Sequence, residues 1–223
     1  MNKQKAVEKH RVLLVEDHPL FRERVAHLIN KDMGMTVCAE VDNIQGAMAC
    51  IQANKPDIAI VDISLHGSSG LELLKDIKAQ GINLPVLILS MHEEGLYAER
   101  ALRAGARGYI MKNEAAGEIV LAIRRVMSGE VYVSTRINAK ILQRVAHAGK
   151  KSAASGIDSL TDRELEVFQC IGKGRNSREI AESLHLGETT VETYRSRIRE
   201  KLQIRNAAEL YQRAAQWMVE RGV

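Results

Sequence analysis

Aromatic side chains are scarce: one Trp, two Phe and five Tyr make up only 4% of the 223 residues. Any core must therefore rest on Val, Ile, Leu and Ala. Cysteine is scarce too. Cys38, Cys50 and Cys170 are far apart and odd in number, which argues against a disulfide framework or a zinc ribbon and points to small thiols in a reducing compartment. No apolar run approaches the ~18 residues of a membrane span. The first ten residues contain no apolar stretch of the secretory kind, so no export signal is expected and the reading is cytoplasmic. Hydrophobic residues at 45% and charged ones at 27% exclude global disorder. The length exceeds one ordinary domain and fits two modest ones, at roughly 100–200 residues each.

The formal net charge of +4 is unevenly placed. Residues 1–134 carry 16 bases and 17 acids, residues 135–155 carry five bases and no acid, and residues 156–223 carry 11 of each. Net charge alone therefore does not announce a nucleic-acid partner. Within residues 189–205, however, Arg195, Arg197, Arg199, Lys201 and Arg205 face only Glu192 and Glu200. A local basic stripe can hold phosphates on a neutral domain, although a solvated helix face would look the same.

The first half alternates short apolar runs with amphipathic stretches. Val12–Val15, Val37–Val41, Ile58–Val61, Val86–Leu89 and Gly108–Ile110 read as strands. Helical spacing lies near Pro19–Ile29, Ile44–Ala53, Gly70–Lys78, Glu93–Ala104 and Ala115–Ser128. Five strand-then-helix units predict an α/β domain, a doubly wound parallel sheet over residues 10–130. Residues 131–156 read as a linker, basic and helical from Ser134 to Ala148 and then small and polar. Residues 157–223 show no strand signal and read as four helices.

In open parallel sheets, sites form beyond the carboxyl ends of the strands. There the sequence delivers Glu16 and Asp17 after the first strand, Asp62 after the third, Ser90 after the fourth and Lys112 after the fifth. Any one of these alone would be a helix cap or a solvated loop residue. Together they make a pocket. Three close carboxylates repel unless a cation joins them, and a hard ion such as Mg²⁺ fits that oxygen set. Asp62 then becomes the natural nucleophile toward a phosphoryl group, with Lys112 as a point charge for the same phosphate.

On these residues, positions 11–128 resemble the receiver domain of bacterial two-component response regulators. The resemblance implies a flavodoxin-like five-stranded sheet in order 2-1-3-4-5, with Mg²⁺ held by Glu16, Asp17, Asp62 and the backbone carbonyl of Ser64. It implies phosphorylation of Asp62 by a sensor histidine kinase, phosphoryl contacts from Ser90 and Lys112, and a switch pair of Ser90 and Tyr109. The family usually has proline four residues after the Asp. Here His66 stands there, readable as an exposed loop residue or as a metal ligand or acid–base group. His92 falls where the family tunes dephosphorylation.

The C-terminal part opens with two capping-box spacings, Thr161 with Glu164 and Asn176 with Glu179. A short helix and a tight turn at His185-Leu186-Gly187 lead to a longer helix. On it Val191, Tyr194, Ile198 and Leu202 share one face, and Thr193, Ser196, Arg197 and Glu200 the other. That is the layout of a helix-turn-helix, whose second helix fits the DNA major groove, although a plain helical bundle shares the periodicity. The run Leu160–Val167, then Glu179-Ile180-Ala181, Thr190–Ile198 and Lys201-Leu202 resembles the LuxR-type helix-turn-helix. With the receiver, the chain resembles the NarL/FixJ class. This implies base contacts from Glu192, Thr193, Ser196 and Arg197, and phosphate contacts from Thr190, Arg195 and Lys201. Asn176-Ser177 inverts the family's usual order at the cap. A stripe of Ala207, Leu210, Tyr211, Ala214, Trp217 and Met218 on the last helix serves core packing and, by resemblance, dimerisation.

The expected partners are promoter DNA, a sensor histidine kinase and a second copy of the chain, with RNA polymerase a further candidate and no membrane. An aspartate-nucleophile hydrolase is the enzyme rival. Such enzymes place a second Asp where Ser64 stands, so the chain is expected to promote only its own phosphorylation and dephosphorylation. A DNA-binding protein with a silent receiver and a pure adaptor are the other rivals.

Overall fold

The computed structural model describes residues 9–91, 94–146 and 156–221. The chain divides into two compact units, Met1–Ala146 and His147–Val223. In the first, β1 (His10–Val15), α1 (Pro19–Lys31), β2 (Met35–Val41), α2 (Ile44–Asn54) and β3 (Ile58–Asp62) lead to a two-residue hairpin, β4 (Ser64–Leu65) and β5 (Ser68–Ser69). Then come α3 (Gly70–Ala79), β6 (Val86–Ser90), α4 (Glu94–Ala104), β7 (Gly108–Met111), α5 (Ala115–Met127) and α6 (Thr135–Ala146).

The five long strands pair in parallel in the order β2-β1-β3-β6-β7. With the small hairpin set aside, this is the order 2-1-3-4-5 expected from the sequence. The strands are apolar because both faces are covered. Val12, Leu14, Ile58, Ile60, Leu87 and Leu89 join Val25, Ile29, Ile119 and Ile123 of α1 and α5 in one cluster. The intervening Leu13, Val15, Ala59, Val61 and Ile88 are fully buried as well. Gly70 marks where α3 presses on β3. A Cβ there would meet the Asp62 carbonyl oxygen at 1.9 Å and Val61 Cγ1 at 2.8 Å, so only glycine allows the approach.

Within residues 131–156, read as a linker, the expected basic helix forms as α6, and the stretch before it pairs with the first unit. Tyr132 adds to the free edge of β7 by a parallel bridge to Gly108. The Tyr109 N–H donates to the Tyr132 carbonyl at 2.8 Å, and the Tyr132 N–H to that of Arg107 at 2.9 Å. The Ser134 N–H donates to Glu94 Oε1 at 2.8 Å, and its hydroxyl to the same carboxylate. Tyr132 Oη donates to Glu118 Oε2 at 2.5 Å, and Ile137 at the start of α6 is buried. This stretch is thus a strap that caps the sheet edge of the first unit. Residues 147–155 of the expected linker, with Lys150 and Lys151, lie outside the described residues, as do His92 and the expected first residue of α4, Glu93.

The second unit opens with a 3₁₀ turn at Gly156–Ser159, followed by α7 (Asp162–Gly172), α8 (Ser177–Leu184), α9 (Glu188–Leu202) and α10 (Ala207–Arg221). Both capping boxes form. Glu164 N–H donates to Thr161 Oγ1 at 3.3 Å and Thr161 N–H to Glu164 Oε2 at 2.7 Å. Asn176 and Glu179 do the same at 3.0 and 2.8 Å, so the inverted Asn-Ser order leaves this cap intact. Phe168 meets Trp217 edge-on at 5.6 Å between centroids. Gly172 lets α7 and α10 touch, since a Cβ would lie 2.8 Å from the Ala214 carbonyl oxygen.

Candidate functional site

The carboxyl ends of β1, β3, β6 and β7 bring five expected residues together. Glu16, Asp17, Asp62, Ser90 and Lys112 are all buried. Lys112 Nζ lies 2.7 Å from Asp62 Oδ2, 2.7 Å from Glu16 Oε2 and 2.9 Å from Glu16 Oε1. Its own N–H donates to the Ser90 carbonyl at 2.8 Å, which ties the hydroxyl-bearing strand end to the ammonium-bearing one. Tyr109 is buried one strand residue short of Ile110. Ser64 follows Asp62 by two residues, and its backbone N–H donates to the Asp62 carboxylate.

The charge balance is unfavourable to Asp62. Burial pushes its carboxyl up to about 7, Lys112 works against this, and Glu16 adds to it. Of the three buried carboxylates, Glu16 and Asp62 share the Lys112 ammonium, while Asp17 faces His18 and His66. Asp17 Oδ1 and Glu16 Oε2 have no hydrogen-bond partner, although Glu16 Oε2 keeps its ion pair with Lys112. One ligand atom from each of Glu16, Asp17, His18 and Asp62 falls within 4.8 Å of the others. Crowded, under-neutralised oxygen donors of this kind fit a divalent cation.

Three neighbours of the pocket escaped the sequence reading. His18 Nδ1 stands 2.7 Å from Asp17 Oδ1 and 3.1 Å from Glu16 Oε1. Arg22 Nη1 donates to the Glu16 carbonyl at 2.6 Å. The Phe21 ring lies 4.8 Å below Lys112 Nζ. The available signal was their position within one turn of the acid pair, at the start of α1. His66 could be read two ways from sequence. Its Nδ1 lies 2.9 Å from Asp17 Oδ2.

In the second unit, α8, a turn and α9 form a helix-turn-helix. The left-handed residue of the turn is His185, with φ 52°, and extended Gly187 begins α9. Val191 and Ile198 are buried, whereas Thr190, Glu192, Thr193, Ser196 and Arg197 are exposed. Thr193 Oγ1 donates back to the Thr189 carbonyl at 3.0 Å, and Glu192 accepts from Ser177 Oγ. Lys201 is exposed but paired with Glu164 Oε2 at 2.6 Å. Arg195 is buried, donates to Ser177 Oγ and Tyr211 Oη at 3.1 Å each, and stacks 5.0 Å over the Tyr211 ring. A guanidinium so engaged braces α8, α9 and α10. On α10, Leu210, Ala214, Trp217 and Met218 are buried, while Ala207 is exposed and Tyr211 half-buried.

Comparison with known proteins matches residues 12–124 to the response regulator receiver domain and residues 158–214 to the bacterial regulatory proteins of the luxR family. The transcriptional regulatory protein YxjL of Bacillus subtilis is 35% identical over 195 residues, 87% of this chain and 89% of its own. The response regulator UvrY of Escherichia coli K12 is 33% identical over 199 residues, 89% and 90% of the two chains. Among solved structures, a LuxR-family two-component response regulator from Aurantimonas matches with a TM-score of 0.57 at 32% identity, over 62% of this chain and 99% of that one. RcsB of Salmonella enterica, solved on promoter P1flhDC with the phosphomimetic BeF₃⁻, shares the fold at 19% identity and a TM-score of 0.56, over 93% and 100%.

Proposed function

The chain belongs to the bacterial response regulators that join a receiver domain to a LuxR-type helix-turn-helix, and from that premise we propose that phosphorylation of Asp62 controls its binding to promoter DNA. The observation that carries this reading is the buried set of Glu16, Asp17, Asp62, Ser90 and Lys112 at one sheet edge. A structural core rarely collects three carboxylates beside one ammonium, because each buried ion costs several kcal/mol, and a bound cation or phosphoryl group offsets that cost here.

Glu16, Asp17, Asp62 and the Ser64 carbonyl are the residues that would hold Mg²⁺. When bound, that ion supplies positive charge to the carboxylates and to the oxygens of an incoming phosphoryl group. An ionised Asp62 oxygen attacks the phosphorus of a kinase phosphohistidine. The new O–P bond forms as the N–P bond breaks, and the electron pair returns to the imidazole. Lys112, already 2.7 Å from Asp62 Oδ2, balances the charge that arrives, and the Ser90 hydroxyl turns to a phosphoryl oxygen while Tyr109 moves with it. Because Ser64 stands where an external-substrate hydrolase needs an acid, the chain promotes only its own phosphorylation and its reversal.

The output is DNA binding through α9 in the cytoplasm. Exposed Glu192, Thr193, Ser196 and Arg197 suit base edges, while Thr190 suits phosphates and Lys201 reaches them on leaving Glu164. Two copies reading paired half-sites, with RNA polymerase as the next partner, complete the proposal. The test is incubation of the full chain with acetyl phosphate and Mg²⁺, followed by intact-mass measurement. The expected result is one phosphoryl adduct, lost on alkaline treatment and absent from Asp62→Asn. An adduct that persists in Asp62→Asn, or none in the wild type, would overturn it.

A further inference from the structure

Two imidazoles close over the mouth of the carboxylate pocket, and neither takes part in the phosphoryl chemistry above. His18 precedes α1 at its N-cap position, where its side chain caps no backbone N–H. His66 comes from the turn between β4 and β5. Both rings are more than half exposed, at 63% and 56%, whereas the Asp17 carboxylate that each addresses is 2% exposed. Two histidines from separate segments thus converge on the two oxygens of one buried acid.

The spacing suits hydrogen bonds and adjacent ligands of one ion alike. Neighbouring donors on a six-coordinate ion with bonds of about 2.1 Å sit about 3.0 Å apart. The His18 Nδ1 distances to Asp17 Oδ1 and Glu16 Oε1 are 2.7 and 3.1 Å, and the His66 Nδ1 distance to Asp17 Oδ2 is 2.9 Å. Asp17 Oδ1, close as it is to His18, is buried without a hydrogen bond. The imidazole Nδ1 has hydrogen-bond geometry toward Glu16 Oε1 instead, at 3.1 Å, which leaves Asp17 Oδ1 a buried acceptor that a cation would satisfy.

We propose that His18 and His66 are nitrogen ligands of this pocket and that it takes a borderline first-row divalent ion, of the Mn²⁺ and Co²⁺ class, in preference to Mg²⁺. The inference rests on the reading of the pocket as a divalent-cation site and adds the ion's identity to it. Hard Mg²⁺ prefers oxygen and gains little from imidazole, whereas Mn²⁺ and Co²⁺ accept both donor types.

The test uses metal-stripped full-length protein titrated with Mn²⁺ and with Mg²⁺, and pulsed electron paramagnetic resonance of the Mn²⁺ form. The expected result is ¹⁴N coupling from imidazole in the wild type. It is lost in the His18→Ala, His66→Ala double variant, whose Mn²⁺ affinity falls by about tenfold or more while its Mg²⁺ affinity stays within about twofold. Both rings are exposed, and a circular dichroism spectrum confirms that the double variant folds. Absence of ¹⁴N coupling in the wild type, or an equal loss of both ions in the double variant, would overturn the assignment. Asp17→Asn separates the two levels. It abolishes binding of both ions if the pocket is a cation site, whatever the histidines do. Unchanged binding in Asp17→Asn would refute the cation site itself and the ligand assignment with it.

Discussion

Replacing Asp62 by Asn should stabilise the first unit in the absence of divalent ions, and should do so increasingly as pH rises. The unfolded carboxyl titrates near 3.8, whereas burial pushes the folded one to about 7. Between these values the native state keeps a proton that the unfolded chain has released. Stability is therefore lost as pH rises from about 4 through about 7. At 1.36 kcal/mol per unit the ceiling on that loss is about 4 kcal/mol. Asn has no such proton and keeps the shape. Lys112 still has Glu16 at 2.7 Å, so no buried ammonium is abandoned. With relaxation of the pocket, a gain of about 1–4 kcal/mol at about pH 8 is expected, less than half of it at about pH 5, and near zero below about pH 4. For a unit of this size each kcal/mol moves the melting temperature by about 2–4 °C. Scanning calorimetry of the full chain with EDTA measures the shift. Trp217, the only tryptophan, lies in the second unit and identifies that unit's transition by fluorescence. Divalent ion should narrow the difference and, at about a thousand times its Kd, cancel or reverse it, because it then adds about 4.1 kcal/mol to the wild type. A wild type as stable as Asp62→Asn at about pH 8 without metal, or a difference independent of pH, would refute the reasoning.

Gly70→Ala places a Cβ 1.9 Å from the Asp62 carbonyl oxygen. The expected cost is about 3 kcal/mol in the first unit's calorimetric transition, together with loss of phosphorylation because the Asp62 backbone must move. Arg195→Ala removes the donors to Ser177 and Tyr211 and should cost the second unit about 2–3 kcal/mol in urea followed by Trp217 fluorescence. Arg197→Ala, at an exposed position of α9, should leave that stability unchanged. It should weaken promoter binding by about 1–3 kcal/mol in a gel-shift titration at fixed salt.

The acid pocket was legible because each of its members follows directly on an apolar run. Strand ends in a parallel sheet are fixed points, so Glu16-Asp17, Asp62, Ser90 and Lys112 had nowhere else to go. The capping boxes were legible because their partners are three residues apart. The strap over β7 was not. Ser134 bonds Glu94, 40 residues earlier, and no local pattern encodes a contact of that range, so a basic helical stretch read as linker. The bracing contacts of Arg195 are masked in the sequence by its charge. It lies four residues after Val191 and three before Ile198, both buried, and that spacing places it beside the apolar face. His18 was passed over for a related reason: adjacency to Asp17 says nothing of which way a ring points. The sequence leaves His66 open between loop residue and ligand because its approach to Asp17 depends on the hairpin of β4 and β5, two-residue strands too short to leave a periodic signal.

The central claim, that a phosphoryl group on Asp62 sets the affinity of α9 for DNA, is tested most directly by one binding titration. Wild type and Asp62→Asn are titrated onto promoter DNA at one salt concentration, with and without acetyl phosphate and divalent ion. The expected result is a rise in affinity with the phosphodonor in the wild type alone. Equal affinities with and without the phosphodonor in the wild type, or the same rise in Asp62→Asn, would contradict it.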